Sequence, residues 1–292
     1  MSRESKAVEL RKQLVQLSKT VNELSINELR IILAIERVIA RLENYRELRE
    51  HLVFKGGFVM LKVLGSDRFT RDLDPLCRGI DKADAEELIT RALNSELDDG
   101  FWFGDIKIEN LEAQGEYGAL RFDCAFQIGD PPKETTRFTK LSRVHFDIGF
   151  GDKVLGILKP VRLKSLFENG EVLSWKVYPV EFILSEKLET LIKRESANSR
   201  SKDVYDLTLL FEACKNVENL VKAIQATFES RATEMPKSFR QFAENLNVRQ
   251  LKSSWGSVQL TTAISFENCW TILLGQLQEL DSLLKRDPGR KP

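Results

Sequence analysis

Two aspartates one residue apart, Asp72 and Asp74, have the type and spacing of metal ligands. Successive side chains of an extended strand face opposite ways, so the two carboxylates share one face while Leu73 points into the core. Like charges held this close repel each other unless a cation lies between them. Mg²⁺ or Mn²⁺ prefers carboxylate and phosphate oxygens, and the pair therefore predicts a metal site for nucleotide chemistry.

A pair of glycines, Gly56 and Gly57, precedes the aspartates by about a helix length. Glycine lets the backbone turn and approach a phosphate, and the apolar residues that follow predict a short helix whose free amides would face an anion. Taken alone, a glycine pair is more simply a tight turn, and an isolated Asp-x-Asp is more simply a pair of solvated turn residues. The two features together favour a phosphate-binding site.

Nucleotidyl transfer by two metal ions needs a further carboxylate from another strand, and the sequence contains two candidates. Asp147 and Asp123 each lie where apolar and other residues alternate, which is typical of a strand with one buried face. Arg121 precedes Asp123 by two residues on the same face, so an ion pair between these two is the simpler explanation of Asp123. This pattern by itself favours Asp147 only slightly and leaves Asp123 as the alternative.

A further set of charged residues lies in the C-terminal part of the sequence. Apolar residues between positions 184 and 192 recur at helical spacing, which places Lys187 at the edge of an apolar stripe, where its ammonium could reach a cleft and a triphosphate. Asp203 and Asp206 are three residues apart and share one helical face. The simpler explanation of these charges is the solvated face of an amphipathic helix.

Two motifs follow each other along the chain. The first consists of Lys55-Gly56-Gly57 followed by Arg68, Thr70, Asp72 and Asp74, and the second of Ser185-Glu186-Lys187-Leu188 and Lys202-Asp203-Val204-Tyr205-Asp206-Leu207. In this order they resemble the AbiEii/AbiGii-type nucleotidyltransferases, toxins of bacterial toxin-antitoxin and phage-defence systems. The resemblance covers roughly residues 50 to 212, and the remainder matches only in its helical character.

The resemblance implies a role for each of these residues. Asp72, Asp74 and Asp147 would bind the metal ions and take part in catalysis, together with Lys187 and either Asp206 or its close rival Asp203. The triphosphate of an NTP would be held by Lys55, Gly56, Gly57, Arg68 and Thr70. One position departs from the family, because Phe58 follows the glycines where Ser or Thr is usual.

The resemblance also implies an α+β fold, with a polymerase-beta-like mixed sheet and flanking helices followed by a C-terminal helical domain. We place the nucleotidyltransferase domain at residues 1–178 and the helical domain at residues 179–292. Hydrophobic periodicity predicts helices at 4–17, 27–52 and 82–95, strands at 72–76, 101–111, 118–128 and 138–150, and a mainly helical segment from 180 to 285.

Composition excludes several classes of protein. The 292 residues are 42% hydrophobic and 30% charged with zero net charge, which suits a packed core and gives no broad electrostatic footprint for nucleic acid. Two histidines are too few for a histidine-rich metal site, and the four scattered cysteines indicate a reduced, cytoplasmic protein. We expect no membrane contact, because the sequence has no apolar run long enough to cross a bilayer and no secretion signal.

These observations predict an enzyme that transfers a nucleoside monophosphate from an NTP to an acceptor hydroxyl. By resemblance, the acceptor is the 3′ end of a tRNA, the effect is growth arrest, and a cognate antitoxin encoded beside the protein regulates it. One alternative keeps the enzyme and changes the acceptor to a protein side chain or a small molecule. The other, which Phe58 favours, is a degenerate nucleotidyltransferase fold that binds nucleotide or a partner without turnover.

Overall fold

The protein was studied as a computed structural model that describes residues 2–20, 24–111, 118–151, 158, 160–166, 172–194 and 200–286. The chain forms two compact units. The first consists of Met1–Val63, Thr70–Asp152 and Leu158–Val177, and the second of Leu64–Phe69, Lys153–Ile157 and Tyr178–Pro292. Each unit therefore contains segments that are distant in sequence.

The helices of the first unit pack beside its sheet. They are α1 (Arg3–Thr20), α2 (Ile26–Asn44), α3 (Arg46–Arg49), α4 (Gly56–Val63) and α5 (Lys82–Leu93). A capping box begins α2, because the Ser25 hydroxyl accepts the Glu28 N–H and the Glu28 carboxylate accepts the Ser25 N–H. Nearly all side chains of α2 from Leu29 to Leu42 are buried, so this helix forms much of the core.

A five-stranded mixed sheet is the centre of the first unit. Its strands are β1 (Leu52–Lys55), β2 (Asp74–Cys77), β3 (Phe101–Leu111), β4 (Ala119–Ile128) and β5 (Ser142–Phe150). They lie in the order β1-β2-β5-β4-β3, with β2 and β5 parallel and the other pairs antiparallel. This order places β2 directly beside β5, so residues near position 73 come close to residues near position 147.

A hairpin of β6 (Pro160–Lys164) and β7 (Val172–Lys176) adds a separate two-stranded sheet to the first unit. Among the described residues, one isolated bridge connects it to the main sheet, between Phe54 at β1 and Val177 just after β7. The Trp175 ring packs between the two, with its centroid 5.8 Å from that of Phe54.

The second unit is helical in its described residues. Its helices are α6 (Val180–Arg194), α7 (Ser201–Ala213), α8 (Val217–Ser230), α9 (Phe239–Glu244), α10 (Val248–Ser253) and α11 (Phe266–Arg286). Helix α6 packs against α7 and α8, and α11 packs against α7 and α9. None of the helices in the described parts of either unit has the length and apolar character needed to span a membrane.

The α+β class with a mixed sheet is confirmed, and some predicted boundaries are wrong. The helix predicted at 27–52 ends at Asn44, and β1 begins at Leu52, because a short run of buried apolar residues does not distinguish strand from helix. The strand predicted at 138–150 begins at Ser142, and Thr135–Lys140 form a 3₁₀ helix before it. The periodicity did not predict β6 and β7.

Candidate functional site

The glycine turn lies where β1 ends and α4 begins. Lys55 is the last residue of β1 and pairs in register with Asp74 on β2. Gly56 has a φ of +78°, and a Cβ added to it would lie 2.4 Å from Oδ2 of Asp74. Only glycine can therefore turn the chain here and leave room for the aspartate. The turn and the second aspartate of the Asp-x-Asp pair form one local structure.

Phe58 follows this turn and points into the core. Its side chain is fully buried, and its ring stacks on that of Trp175 with centroids 5.6 Å apart. The position that carries Ser or Thr in the resembled family is thus used for packing in this chain. A hydroxyl near Asp72 and Asp74 comes instead from Thr70, whose Oγ1 accepts the backbone N–H of Asp72 at 3.1 Å.

The three aspartates predicted to bind metal line one small cavity of about 160 Å³. Its wall is formed by Asp72, Leu73, Asp74, Arg121, His145, Phe146 and Asp147. Leu73 is fully buried, as the alternation of the Asp-x-Asp pair predicts, and it pairs with Phe146 through an isolated β-bridge. Asp72 precedes β2, which begins at Asp74. Strand pairing between β2 and β5 thus brings residues more than seventy positions apart in sequence to one place.

Asp147 forms a bidentate ion pair across the sheet. Arg121 on β4 is its register partner and donates from Nε to Oδ1 and from Nη2 to Oδ2, both at 2.8 Å. This hydrogen bonding and the charge of Asp147 raise the pKa of the Arg121 guanidinium. The ion pair expected between Arg121 and Asp123 was therefore wrong. Asp123 is bound by Arg143 instead and lies outside the cavity.

The donor set of the cavity suits a hard cation. Three carboxylates around one cavity offer the oxygen ligands that Mg²⁺ prefers. As the side chains are arranged, however, no three Asp, Glu, His or Cys residues of the described ranges are close enough together to hold a metal ion. Asp147 is turned toward Arg121. The residue types fit a magnesium ion, held by Asp72 and Asp74, which Asp147 could join after leaving Arg121.

A second group of the predicted residues lies in the second unit. Lys187 on α6 contacts two carboxylates of α7, with Nζ 2.8 Å from Oδ1 of Asp203 and 2.8 Å from Oδ2 of Asp206. Arg68 binds Asp206 in a bidentate pair at 2.7 and 3.0 Å. Both aspartates are at most 1% exposed. The expectation of a solvated helical face was therefore wrong, because these charges neutralise one another inside the unit.

The ionisation of this group follows from its mutual charges. Burial alone would lower the pKa of Lys187, but the charges of Asp203 and Asp206 outweigh burial and raise it. Burial alone would raise the pKa of Asp203, and the charges of Lys187 and Arg200 outweigh it and lower the pKa. The lysine is thus held in its charged form at neutral pH.

The predicted site residues therefore fall into two groups. Lys55, Gly56, Gly57, Thr70, Asp72, Asp74 and Asp147 belong to the first unit, and Arg68, Lys187, Asp203 and Asp206 belong to the second. Arg121 lines the same cavity as Asp147, which the motifs did not predict. The alternation of apolar and polar residues around Arg121 was visible in the sequence, whereas its register partner on β5, Asp147, was not.

Comparison with known proteins confirms the family that the two motifs resemble. Residues 37–265 match the family described as nucleotidyl transferase AbiEii toxin of type IV toxin-antitoxin systems. The fold is similar to that of JHP933 from Helicobacter pylori, with a TM-score of 0.55 and 16% identity over 90% of this chain and 95% of that one. It is also similar to MenT4, a nucleotidyltransferase toxin from Mycobacterium tuberculosis, with a TM-score of 0.61 and 15% identity over 94% of this chain and 90% of that one. No curated protein sequence matches the chain.

Proposed function

Because the chain belongs to the AbiEii nucleotidyl transferase toxin family, we propose that it transfers a nucleoside monophosphate from an NTP to the 3′ end of a tRNA. As a member of this family it is a nucleotidyltransferase of the toxin class. The NTP, the tRNA acceptor and the dependence on a divalent metal are parts of the proposal.

The observation that carries the proposal is the cavity lined by Asp72, Asp74 and Asp147, next to the glycine turn. A bound Mg²⁺ would neutralise phosphate charge and assist the departure of pyrophosphate. Asp72 and Asp74 would hold it, and Thr70 fixes the backbone of Asp72 through the N–H that its hydroxyl accepts. Asp147, once released from Arg121, would accept the proton of the attacking hydroxyl.

Binding of the triphosphate is assigned to the turn and to cations. The first N–H groups of α4 have no partner within the helix, and the absence of a side chain at Gly56 lets a phosphate approach them. Lys55 adds positive charge at the end of β1. The resemblance also implies phosphate binding by Lys187 and Arg68, which Asp203 and Asp206 hold in place within the second unit. These aspartates are positioning residues in this mechanism.

The family also suggests the biological setting. Type IV toxin-antitoxin systems pair a toxin with an antitoxin, so we propose that a cognate antitoxin, encoded beside this protein, relieves the growth arrest caused by tRNA modification. Expression of the protein in bacteria would then stop growth, and the growth arrest would require the same aspartates as the transfer reaction.

The test is incubation of the purified protein with Mg²⁺, each α-labelled NTP in turn, total tRNA and total protein. Label on tRNA that disappears in an Asp72→Ala/Asp74→Ala variant would support the proposal and name the nucleotide. Glu86→Ala/Glu87→Ala is the matched control, because it removes two exposed carboxylates of α5 from the same unit and should keep activity. Label on protein would change the acceptor. No label with any nucleotide would contradict the proposal and favour a binding protein without turnover.

A further inference from the structure

A second cavity of the first unit, about 590 Å³ in volume, shares no lining residue with the cavity around Asp72 and Asp74. It lies between the C-terminal end of α2, the end of α3 and the β6–β7 hairpin. This volume is typical of sites for small molecules. The apolar part of its wall is formed by Ile39, Ala40, Pro160, Leu173 and Trp175.

Two residues of this wall contain polar atoms that have no hydrogen-bond partner within the described residues. Oε1 of Glu43 and Nε1 of Trp175 are buried and make no hydrogen bond with any residue in the described part of the chain. Burial raises the pKa of Glu43 to about 8, against the opposing charges of Lys176 and Arg49. At neutral pH this carboxyl therefore carries a proton and can both donate and accept a hydrogen bond. Buried polar groups without partners are unusual, and they are explained if a ligand supplies the partners.

The polar side of the same cavity is positively charged. Lys176 forms an ion pair with the exposed carboxylate of Glu50, and Nε of Arg49 lies 3.7 Å from Oε1 of that carboxylate. The carboxylate of Glu50 thus faces two cations, Lys176 and Arg49, and the protonated Glu43 adds no negative charge. An anionic group such as a phosphate suits this side of the cavity.

We propose that this cavity is a second nucleotide site, in which a heterocyclic base lies against the apolar wall and exchanges hydrogen bonds with Glu43, while its phosphate binds Arg49 and Lys176. A base offers both N–H donors and ring acceptors on one edge, which matches a group that donates and accepts. The nucleotide comes either from a free mononucleotide or from a single-stranded RNA, since both present the same chemistry. The proposal goes beyond the transfer reaction and does not depend on Asp72, Asp74 or a metal ion.

The test is isothermal titration calorimetry with the full-length Asp72→Ala/Asp74→Ala variant in EDTA, so that neither turnover nor metal-bound triphosphate contributes heat. The four nucleoside monophosphates, ribose 5-phosphate and a single-stranded RNA tetranucleotide are titrated separately. We expect at least one monophosphate to bind about tenfold or more tightly than ribose 5-phosphate, which lacks the base. RNA binding tighter than that of any monophosphate identifies RNA as the source, and the reverse order identifies the free nucleotide.

Two further variants in the same background locate the binding. Ser174 is exposed and lines the cavity, so Ser174→Tyr should obstruct it without disturbing the core and weaken binding about tenfold or more, whereas Ser174→Ala should bind normally. Glu43→Leu should weaken binding about tenfold through loss of the hydrogen bonds. Circular dichroism checks that each variant is folded. Absence of binding by every monophosphate and by RNA, or equal binding by the Ser174→Tyr variant, would overturn the proposal.

Discussion

The guanidinium of Arg121 on β4 donates two hydrogen bonds to the carboxylate of Asp147 on β5, both with donor–acceptor distances of 2.8 Å. Asp147 is one of three carboxylates around the small cavity, and its partner is a cation supplied by the protein itself. A metal ion that uses Asp147 must therefore compete with Arg121 for the same two oxygens.

This competition predicts the effect of Arg121→Gln on metal affinity. The pair is exposed at 46% for Arg121 and 31% for Asp147, and such pairs contribute about 0.2–1 kcal/mol. Loss of Arg121 should therefore tighten Mn²⁺ binding by about two- to fivefold, as measured by titration calorimetry. Lys107→Gln, on neighbouring β3 and outside the cavity lining, is the control and should leave the affinity unchanged. Weaker Mn²⁺ binding in the Arg121 variant would show that Arg121 supports the metal site instead of competing with it.

Gly56→Ala should destabilise the protein more than a substitution at an ordinary left-handed glycine. The new Cβ would lie 2.4 Å from Oδ2 of Asp74, and the backbone has a φ of +78°. We expect a loss of about 2–4 kcal/mol in the free energy of unfolding, from backbone strain and the clash together. Gly65→Ala is the matched comparison, because its φ is +66° and nothing lies near its Cβ position.

The Gly65 variant should lose only about 1 kcal/mol, the cost of the backbone conformation alone. Urea unfolding of the two variants measures the difference, which isolates the contact with Asp74. Equal losses would mean that Asp74 moves aside without cost and that the close approach of turn and aspartate is not structurally required.

Lys187→Met should strongly destabilise the second unit. It would leave two carboxylates that are at most 1% exposed without their shared cation, and breaking such buried pairs costs about 3–5 kcal/mol. Lys193→Met on the same helix is the control, because that lysine is half-exposed and lies 3.9 Å from Glu189. The control should change the free energy of unfolding by less than about 0.5 kcal/mol. A small loss in both variants would contradict the buried network.

Glu43 should make stability depend on pH between 5 and 8. Its pKa rises from an ordinary value of 4.5 to about 8 on folding because of burial. The folded state thus binds the proton more tightly than the unfolded state. The contribution of Glu43 to the free energy of unfolding is therefore fully present below the unfolded pKa and is lost as pH rises through the folded pKa of about 8. Glu43→Gln removes this loss, and we expect the variant to gain about 1–2 kcal/mol over the wild type at pH 8, after allowance for solvent screening.

The comparison at pH 5 provides the reference for this prediction, because Glu43 is protonated in the folded protein there and the gain should nearly vanish. Urea unfolding at both pH values measures it. Glu47→Gln, an exposed carboxylate on α3, should show no such change with pH. A gain of equal size at pH 5 and pH 8 would mean that the effect comes from packing and not from ionisation.

Features that depend on neighbouring residues were predictable from the sequence. The alternation around Leu73 predicted its burial between two aspartates, and the apolar pattern predicted β3 at its observed bounds, Phe101–Leu111. The glycine pair predicted the turn into a short helix, which is α4. The family motifs added the class of enzyme, because they combine two such local patterns in a particular order.

Features that depend on which elements lie side by side required the tertiary structure. The partner of Arg121 follows from the register of β4 on β5, and nothing within either strand distinguishes Asp147 from Asp123 as that partner. The burial of Phe58 follows from its stacking on Trp175, more than a hundred residues away. Residues such as Lys187 likewise have helical spacing that suits a solvated face or a buried ion pair equally well.

The sequence by itself therefore determined the chemical groups of the site and their local geometry, since strand alternation, helical spacing and glycine turns involve only residues a few positions apart. The tertiary structure alone decided which charges meet. Strand order placed Asp147 beside Asp72 and Asp74 around one cavity, and register gave it Arg121 as a partner. Long-range pairing is set by the packing of the whole core, and this is why the ion pairs of the site could not be derived from local patterns.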